Sequence, residues 1–300
     1  MIYPSLPARY DLGIIRIGGA GIGNCLYTYF HAVVMAKAIN SPIIAPTWSS
    51  VRIGPLLRRE LSLRRYGRMF RAHPDEISGI MKAILLIWGW RKGARIQIRV
   101  GQQPPAAGAG LTIVESSDFT FVGLHPHRNM IRRRLLDILT LAPSMTPKWG
   151  SADYAAAHIR LGDFAKAQPD QVKSGKIHNL RIPIAWYEKI ITRVRQTFPE
   201  LPILVFSDGR EDELADILAI DGVSLRRGPN DVADLLSLAQ ARLLIGSNST
   251  FSRWAAFLGN MPSIWLKTDQ LPERPTGTDI PIFYIADDFE RITVETVLLA

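Results

Sequence analysis

Three hundred residues, 47% of them apolar, are enough for two buried cores, and a single cysteine, Cys25, excludes an internal disulfide framework and a cysteine-built zinc site. The net charge of +9 is lopsided: residues 1–150 hold 20 Lys and Arg against 7 Asp and Glu, whereas residues 151–300 hold 16 against 20. No apolar run reaches the roughly 18 residues of a membrane-spanning helix, and the first twenty residues lack the pattern of a signal peptide.

In chain order, "LGIIRI" (12–17) reads as a strand, "GGAGIGN" as a loop and Leu26 to Ala38 as a helix. "SPIIAP" (41–46) reads as a second strand. Basic stretches follow at 58–71, 91–99 and 132–134, with strands expected at 95–100 and 111–115. Between the first two basic runs lies the apolar, Trp-containing segment 77–90. Such a field attracts an anionic partner or is a solvated arginine face, and the apolar insert favours an anionic membrane surface over nucleic acid. No zinc finger, basic zipper or aromatic RNA-binding motif accompanies the charge.

The Pro/Gly/Ser-rich stretch 142–153 marks a boundary, giving an N-terminal basic domain (1–147) and a C-terminal domain (148–300). Beyond it, apolar strands at 154–160, 202–208, 223–226, 242–247 and 262–266 alternate with helical patterns at 183–198, 210–220, 231–241 and 250–259. That alternation predicts βαβ units and a parallel, helix-covered sheet of Rossmann type.

The loop at 18–24 is no dinucleotide fingerprint. Asn24 stands where a third glycine belongs, and no carboxylate lies between Asp11 and Glu60. It is either a tight strand-to-helix turn or a backbone that presents N–H groups to an anion or polar ligand.

"AAAHIRLGDF" (155–164) carries an apolar strand into polar groups. His158 and Arg160 are two apart and share a face, at the strand end where open α/β sheets bind ligands. The Arg160 guanidinium fork suits a diphosphate, and Gly162 turns the chain so that Asp163 projects nearby; a plain Arg160–Asp163 surface ion pair is the alternative. "VFSDG" ends the next strand in Ser207 and Asp208. "SNSTFS" (247–252) opens a helix whose cap residues Asn248, Ser249 and Thr250, with the N–H groups up to Phe251, form an anion site or simply cap the helix.

In that order, "GGAGIGN", "HIRLGD", "FSDG" and "DLLSLAQARLLIGSNSTFSRWAAFLG" resemble the α-1,2-fucosyltransferase family, and more loosely the α-1,6- and protein O-fucosyltransferases. The resemblance covers the C-terminal half and, before it, only residues 12–39. It implies an α/β fold of two Rossmann-like domains facing a cleft (GT-B type), GDP-fucose as co-substrate, no metal or other cofactor, and inversion at the transferred sugar. It implies that Arg160 binds the β-phosphate and that His158 and Asp163 flank it. Asp234 would recognise guanine, and Ser249 and Thr250 would donate to the phosphates. Gly21, Gly23 and Asn24 would form the facing cleft loop. The loop carries two extra residues before its Gly–Asn step, and residues 51–150 match nothing in the family pattern.

Arg160 and the 249–251 N–H groups would stabilise charge growing on the departing phosphate, so no divalent ion is required. Asp163 is the first candidate to accept the acceptor hydroxyl's proton, and Glu115 the second. The expectation is a cytoplasmic fucosyltransferase of surface-polysaccharide synthesis, in peripheral contact with the inner face of the membrane and taking a nucleotide sugar and a glycan acceptor. Two alternatives stay open: the same fold with another nucleotide-sugar donor, and a basic membrane- or nucleic-acid-binding module with a vestigial nucleotide site.

Overall fold

The computed structural model describes residues 1–51, 66–89, 94–98, 110–116, 121–140, 147–162, 164–168, 170–171, 174, 180–267 and 282–285. The chain divides into two compact units, Met1–Met145 and Thr146–Ala300.

The N-terminal unit is ordered β1 (Ile2–Pro4), β2 (Tyr10–Asp11), β3 (Arg16–Ile17), α1 (Ile22–Ala38), β4 (Ile43–Ile44), β5 (Ser50–Val51), β6 (Glu76–Ile77), α2 (Gly79–Gly89), β7 (Ala94–Ile98), β8 (Thr112–Ser116) and α3 (Arg128–Ile138). Its main sheet is parallel throughout, in the order β6-β4-β1-β8-β7. Tyr3, Ile44 and Ile113 from three of these strands are buried with Leu86 of α2.

Of the run "LGIIRI", expected to be one strand, only Arg16–Ile17 is a strand, and it lies in a small sheet of order β2-β3-β5 rather than in the main sheet. Gly13 adopts φ +82° and its N–H donates to Asp11 Oδ1 at 2.9 Å, so the chain reverses there. β2 and β3 pair antiparallel across that turn, and the centre of the main sheet is instead β1. The helix after the glycine loop also starts earlier than Leu26. Gly21 is its N-cap residue, so Gly23 and Asn24 lie inside the first turn of α1 rather than in a loop.

The basic stretch 132–134 is not a uniform surface either. Arg134 is 8% exposed and bonds Asp75 at 2.7 and 2.8 Å, Glu76 at 2.9 Å and the Tyr29 hydroxyl at 2.8 Å. The arginine face at residues 52–65 and 91–93 lies outside the described residues.

The C-terminal unit runs β9 (Ala152–Ile159), β10 (Ala165–Lys166), β11 (Leu180–Arg181), α4 (Ile184–Thr197), β12 (Ile203–Ser207), α5 (Ala215–Leu218), β13 (Val223–Leu225), α6 (Asp231–Gln240), β14 (Ala241–Ile245), α7 (Thr250–Gly259), β15 (Ser263–Leu266) and β16 (Ile282–Ile285). Six of these strands form one parallel sheet in the order β13-β12-β9-β14-β15-β16. Numbered along the chain this is 3-2-1-4-5-6, the doubly wound arrangement whose order reverses beside its first strand.

Its strands are short and apolar because both faces are covered. Ala155, Ala157 and Ile159 of β9 share a core with Trp186, Ile190 and Val194 of α4. Alternation along the strand sends Ala156 and His158 to the opposite face.

Candidate active site

The switch point lies between β9 and β14, and the candidate residues gather at the carboxyl ends of β9, β12 and β14. Register places Ser207 beside Ile159 and Ile245 beside Ala157, so the three strands end almost level. Open α/β sheets bind their ligands at this edge.

Arg160 follows the last residue of β9. Its Nη1 forms an ion pair with Asp208 Oδ2, both side chains being partly exposed. The same carboxylate accepts, through Oδ1, the N–H groups of Leu161 at 2.8 Å and Gly162 at 3.0 Å. A single carboxylate therefore orients the guanidinium and fixes the turn after it. Gly162 is required sterically, since a Cβ there would stand 2.4 Å from Asp208 Oδ2. The guanidinium also lies 5.4 Å from the centre of the Phe164 ring. Phe164 is held in turn by its carbonyl, which accepts from Arg181 Nε at 2.7 Å, and Arg181 pairs with Glu213 at 3.0 Å.

Ser207 has a structural task. Its hydroxyl donates to Ile159 O at 2.7 Å and accepts from Gly209 N at 3.0 Å, lacing β9 to β12 just below Arg160.

His158 is 6% exposed and faces the N-terminus of α7. Its Nδ1 meets Ser252 Oγ at 2.6 Å, Ser247 Oγ at 2.9 Å and Ser249 Oγ at 3.5 Å. Ser252 Oγ already accepts from Ser247 N at 3.0 Å, so its own proton is available to Nδ1. The ring then carries its hydrogen on Nε2. Burial pushes the His158 pKa down to about 4, with Arg160 adding to the fall and Asp208 opposing it. The Phe251 ring sits 5.1 Å away.

Ser249 caps α7, its hydroxyl accepting from Ser252 N at 3.3 Å. The helix's first internal bond runs from Arg253 N to Ser249 O, so the N–H groups of Thr250 and Phe251 have no intrahelical acceptor. Asn248 Oδ1 accepts from Arg253 Nη2 at 3.3 Å. A neutral, buried histidine thus anchors a helix N-terminus whose positive end meets the edge that holds Arg160.

Asp234 lies in the first turns of α6, after the Asn230 cap. It accepts from Gly228 N at 2.6 Å. Burial pushes its carboxyl up to about 6 against the lowering effect of that N–H and of Arg226, with Asp231 adding to the rise.

Arg160, Asp208, Ser207, His158, Asn248, Ser249, Thr250 and Phe251 therefore converge on adjacent strand ends, with Asp234 on a neighbouring helix. Gly21, Gly23, Asn24 and Glu115 belong to the N-terminal unit. Asp163 lies outside the described residues. Arg160 has Asp208, from a strand 48 residues away, as its ion-pair partner. Ser247, Ser252, Phe164 and Arg181 were not singled out in the sequence; the serines were visible in "SNSTFS" only as capping residues. Among the described residues, no group of three or more His, Cys, Asp or Glu is placed to hold a metal ion.

Residues 149–283 match the family described as glycosyl transferase family 11. No curated protein matches the chain significantly. Among solved structures, POFUT1 in complex with GDP is similar at 10% identity and a TM-score of 0.44, over 88% of this chain and 97% of that one. Fucosyltransferase NodZ from Bradyrhizobium is similar at 12% identity and a TM-score of 0.41, over 83% and 92%. The E. coli heptosyltransferase WaaC with ADP-2-deoxy-2-fluoro heptose is similar at 11% and 0.43, over 95% and 92%.

Proposed function

We propose that this chain, whose residues 149–283 match glycosyl transferase family 11, transfers fucose from GDP-fucose to a hydroxyl of a glycan acceptor, with inversion, without a metal ion and in α-1,2 linkage. The observation that carries the reading is the Arg160 guanidinium, clamped by Asp208 at the end of β9, beside the N-terminus of α7 across the switch point.

In the reaction, the bond from the sugar's C1 to a β-phosphate oxygen breaks as the acceptor oxygen bonds C1 from the opposite face. The electron pair goes to the phosphate. Arg160 and the N–H groups of Thr250 and Phe251 supply fixed positive charge where that negative charge grows, the task a divalent ion performs in other transferases. Ser249 shapes the helix end, and His158 holds it against β9. Asp234 accepts hydrogen bonds from the guanine edge. The acceptor proton passes to a carboxylate, Asp163 first and Glu115 second, and the N-terminal unit carries the acceptor. The product serves a surface polysaccharide.

The reading places the protein in the cytoplasm with peripheral contact at an anionic membrane surface, supported by the basic N-terminal half and the single cysteine of the sequence. Among the described residues no helix is long and apolar enough to cross a membrane.

The test is nucleotide release from a panel of GDP-, ADP- and UDP-sugars, with and without a chelator. GDP should appear from GDP-fucose at a rate the chelator leaves unchanged. Release from an ADP- or UDP-sugar alone sinks the donor assignment, and abolition by chelator sinks the metal-independent mechanism.

A further inference from the structure

We propose that the outer face of α2, together with the turn between β2 and β3, is a docking surface for an anionic lipid bilayer. This deepens the membrane-contact part of the proposed function and does not depend on the donor sugar.

α2 inverts the usual polarity of a surface helix. Ile80, Met81, Ile84, Ile87 and Trp88 are 82%, 56%, 44%, 75% and 79% exposed. Positions 80, 84, 87 and 88 follow the i, i+4, i+7, i+8 pattern of a single helical face. The helix's one charged residue, Lys82, points the other way. Its Nζ donates to Thr47 Oγ1 at 3.2 Å and lies 5.5 Å from the centre of the Tyr3 ring. Leu86 is buried one turn on, and a Cβ on Gly89 would stand 2.8 Å from Leu111. The inner stripe is thus firmly seated, and the apolar outer face is a feature of the folded unit.

The β2–β3 turn extends this surface. A Cβ on Gly13 would lie 2.9 Å from Leu86 Cδ1, so the turn rests on the helix. Thr47, which accepts from Lys82, donates to Gly13 O at 2.8 Å and pins the two together. Leu12 and Ile14 of that turn are 60% and 76% exposed. Isolated exposed apolar side chains are ordinary, but seven on two adjoining elements mark an interaction surface.

Charge selects the occupant. Residues 1–150 carry 20 Lys and Arg against 7 Asp and Glu, and Arg91, Lys92, Arg95 and Arg99 closely follow Trp88 in sequence. A second copy would bring the same positive half against itself. A bilayer with anionic head groups accepts both the apolar side chains, a tryptophan among them, and the positive charge of this half of the chain. With 11 residues, α2 is about 16 Å long. It therefore lies in the interface and does not span.

The experiment is flotation of the full-length protein with vesicles of phosphatidylcholine alone, or containing about one-third phosphatidylglycerol, at low and high salt. The wild type should float with the anionic vesicles, weakly with neutral ones, and less at high salt. The I84D/I87D variant and, separately, I14D should bind at least tenfold more weakly while their GDP affinity stays that of the wild type. Because a double substitution can disturb folding, brominated-lipid quenching provides a second readout: wild-type tryptophan emission is quenched, and Trp88→Phe loses most of that quenching. Equal flotation of variant and wild type, or no flotation of the wild type, overturns the proposal. So does a concentration-dependent dimer that these substitutions dissolve in the absence of vesicle binding. None of those results touches GDP binding, so the docking surface and the transferase reading fail separately.

Discussion

Asp208 holds Arg160 by an ion pair through one carboxylate oxygen and holds the following turn, at Leu161 and Gly162, through the other. The guanidinium is therefore set in place before any ligand arrives. Preorganised charge of this kind lowers a barrier because no reorientation is needed as the leaving group departs.

Replacing Asp208 separates its two tasks. Asp208→Asn keeps an acceptor for the two N–H groups but removes the ion pair. It should lower kcat/KM for the donor about tenfold with little change in Tm. Asp208→Ala also strands the N–H groups. It should cost roughly 10–100-fold in kcat/KM and lower Tm by several degrees. Donor kinetics and thermal melts on both variants check the split, and equal Tm losses would contradict it.

His158 links pH to stability. Burial holds its folded pKa at about 4, below the ordinary histidine value of 6.5. Between those values the unfolded chain binds a proton that the native histidine refuses, so stability falls as pH drops through that window and is fully present above it. The shift corresponds to about 3 kcal/mol. In urea melts across pH 4 to 7 the stability difference between the wild type and His158→Gln should shift against the wild type as pH falls through this window, and a difference that does not change with pH would argue against it.

Asp234 links pH to stability with the opposite sign. Its carboxyl is pushed up to about 6 from 3.8, so the native state holds a proton the unfolded chain has released, and its contribution to stability is lost as pH rises through about 6. In the proposed role at the guanine edge Asp234 acts as the ionised acceptor, so GDP affinity should rise through the same range, by up to about tenfold per pH unit below it. Asp234→Asn should flatten that dependence in calorimetric titrations. A profile unchanged by the substitution would remove Asp234 from the base site.

Arg134 holds the N-terminal unit together. The Glu76 side chain is fully buried and depends on Arg134 at 2.9 Å and on the Tyr29 hydroxyl at 2.6 Å. Arg134→Ala leaves that carboxylate without its cation and should destabilise the unit by about 3–5 kcal/mol. Adding Glu76→Gln should recover part of the loss, because a neutral amide is cheaper to leave in the interior. Denaturant titrations of the single and double variants measure both.

The C-terminal sheet was legible because buried parallel strands are short apolar runs between helices, a pattern that survives without knowledge of contacts. The N-terminal sheet was less so. Its central strand, Ile2–Pro4, is only three residues long, while the apolar run at 12–17 conceals the reversal at Gly13. At the site, Arg160 and the capping serines stood out as residue types suited to a diphosphate. Their partners did not, because they come from adjacent strands: His158 meets Ser247 and Ser252 across 89 and 94 positions of chain. Asp163 looked like the partner of Arg160 through nearness in sequence and lies outside the described residues, whereas Asp208, which the sheet brings to Arg160, was not picked out as its partner. Lys82 interrupts the apolar stretch 77–90 in sequence, and in the fold Thr47 and Tyr3 draw it inward.

The central claim is that Arg160 grips the donor diphosphate. Calorimetric titration of GDP into the wild type and Arg160→Ala, with circular dichroism to confirm the fold, tests it most directly. The account predicts a loss of GDP affinity of about a hundredfold or more in the variant, as removal of a bidentate, charge-assisted contact requires. A folded Arg160→Ala protein that binds GDP as tightly as the wild type would contradict it.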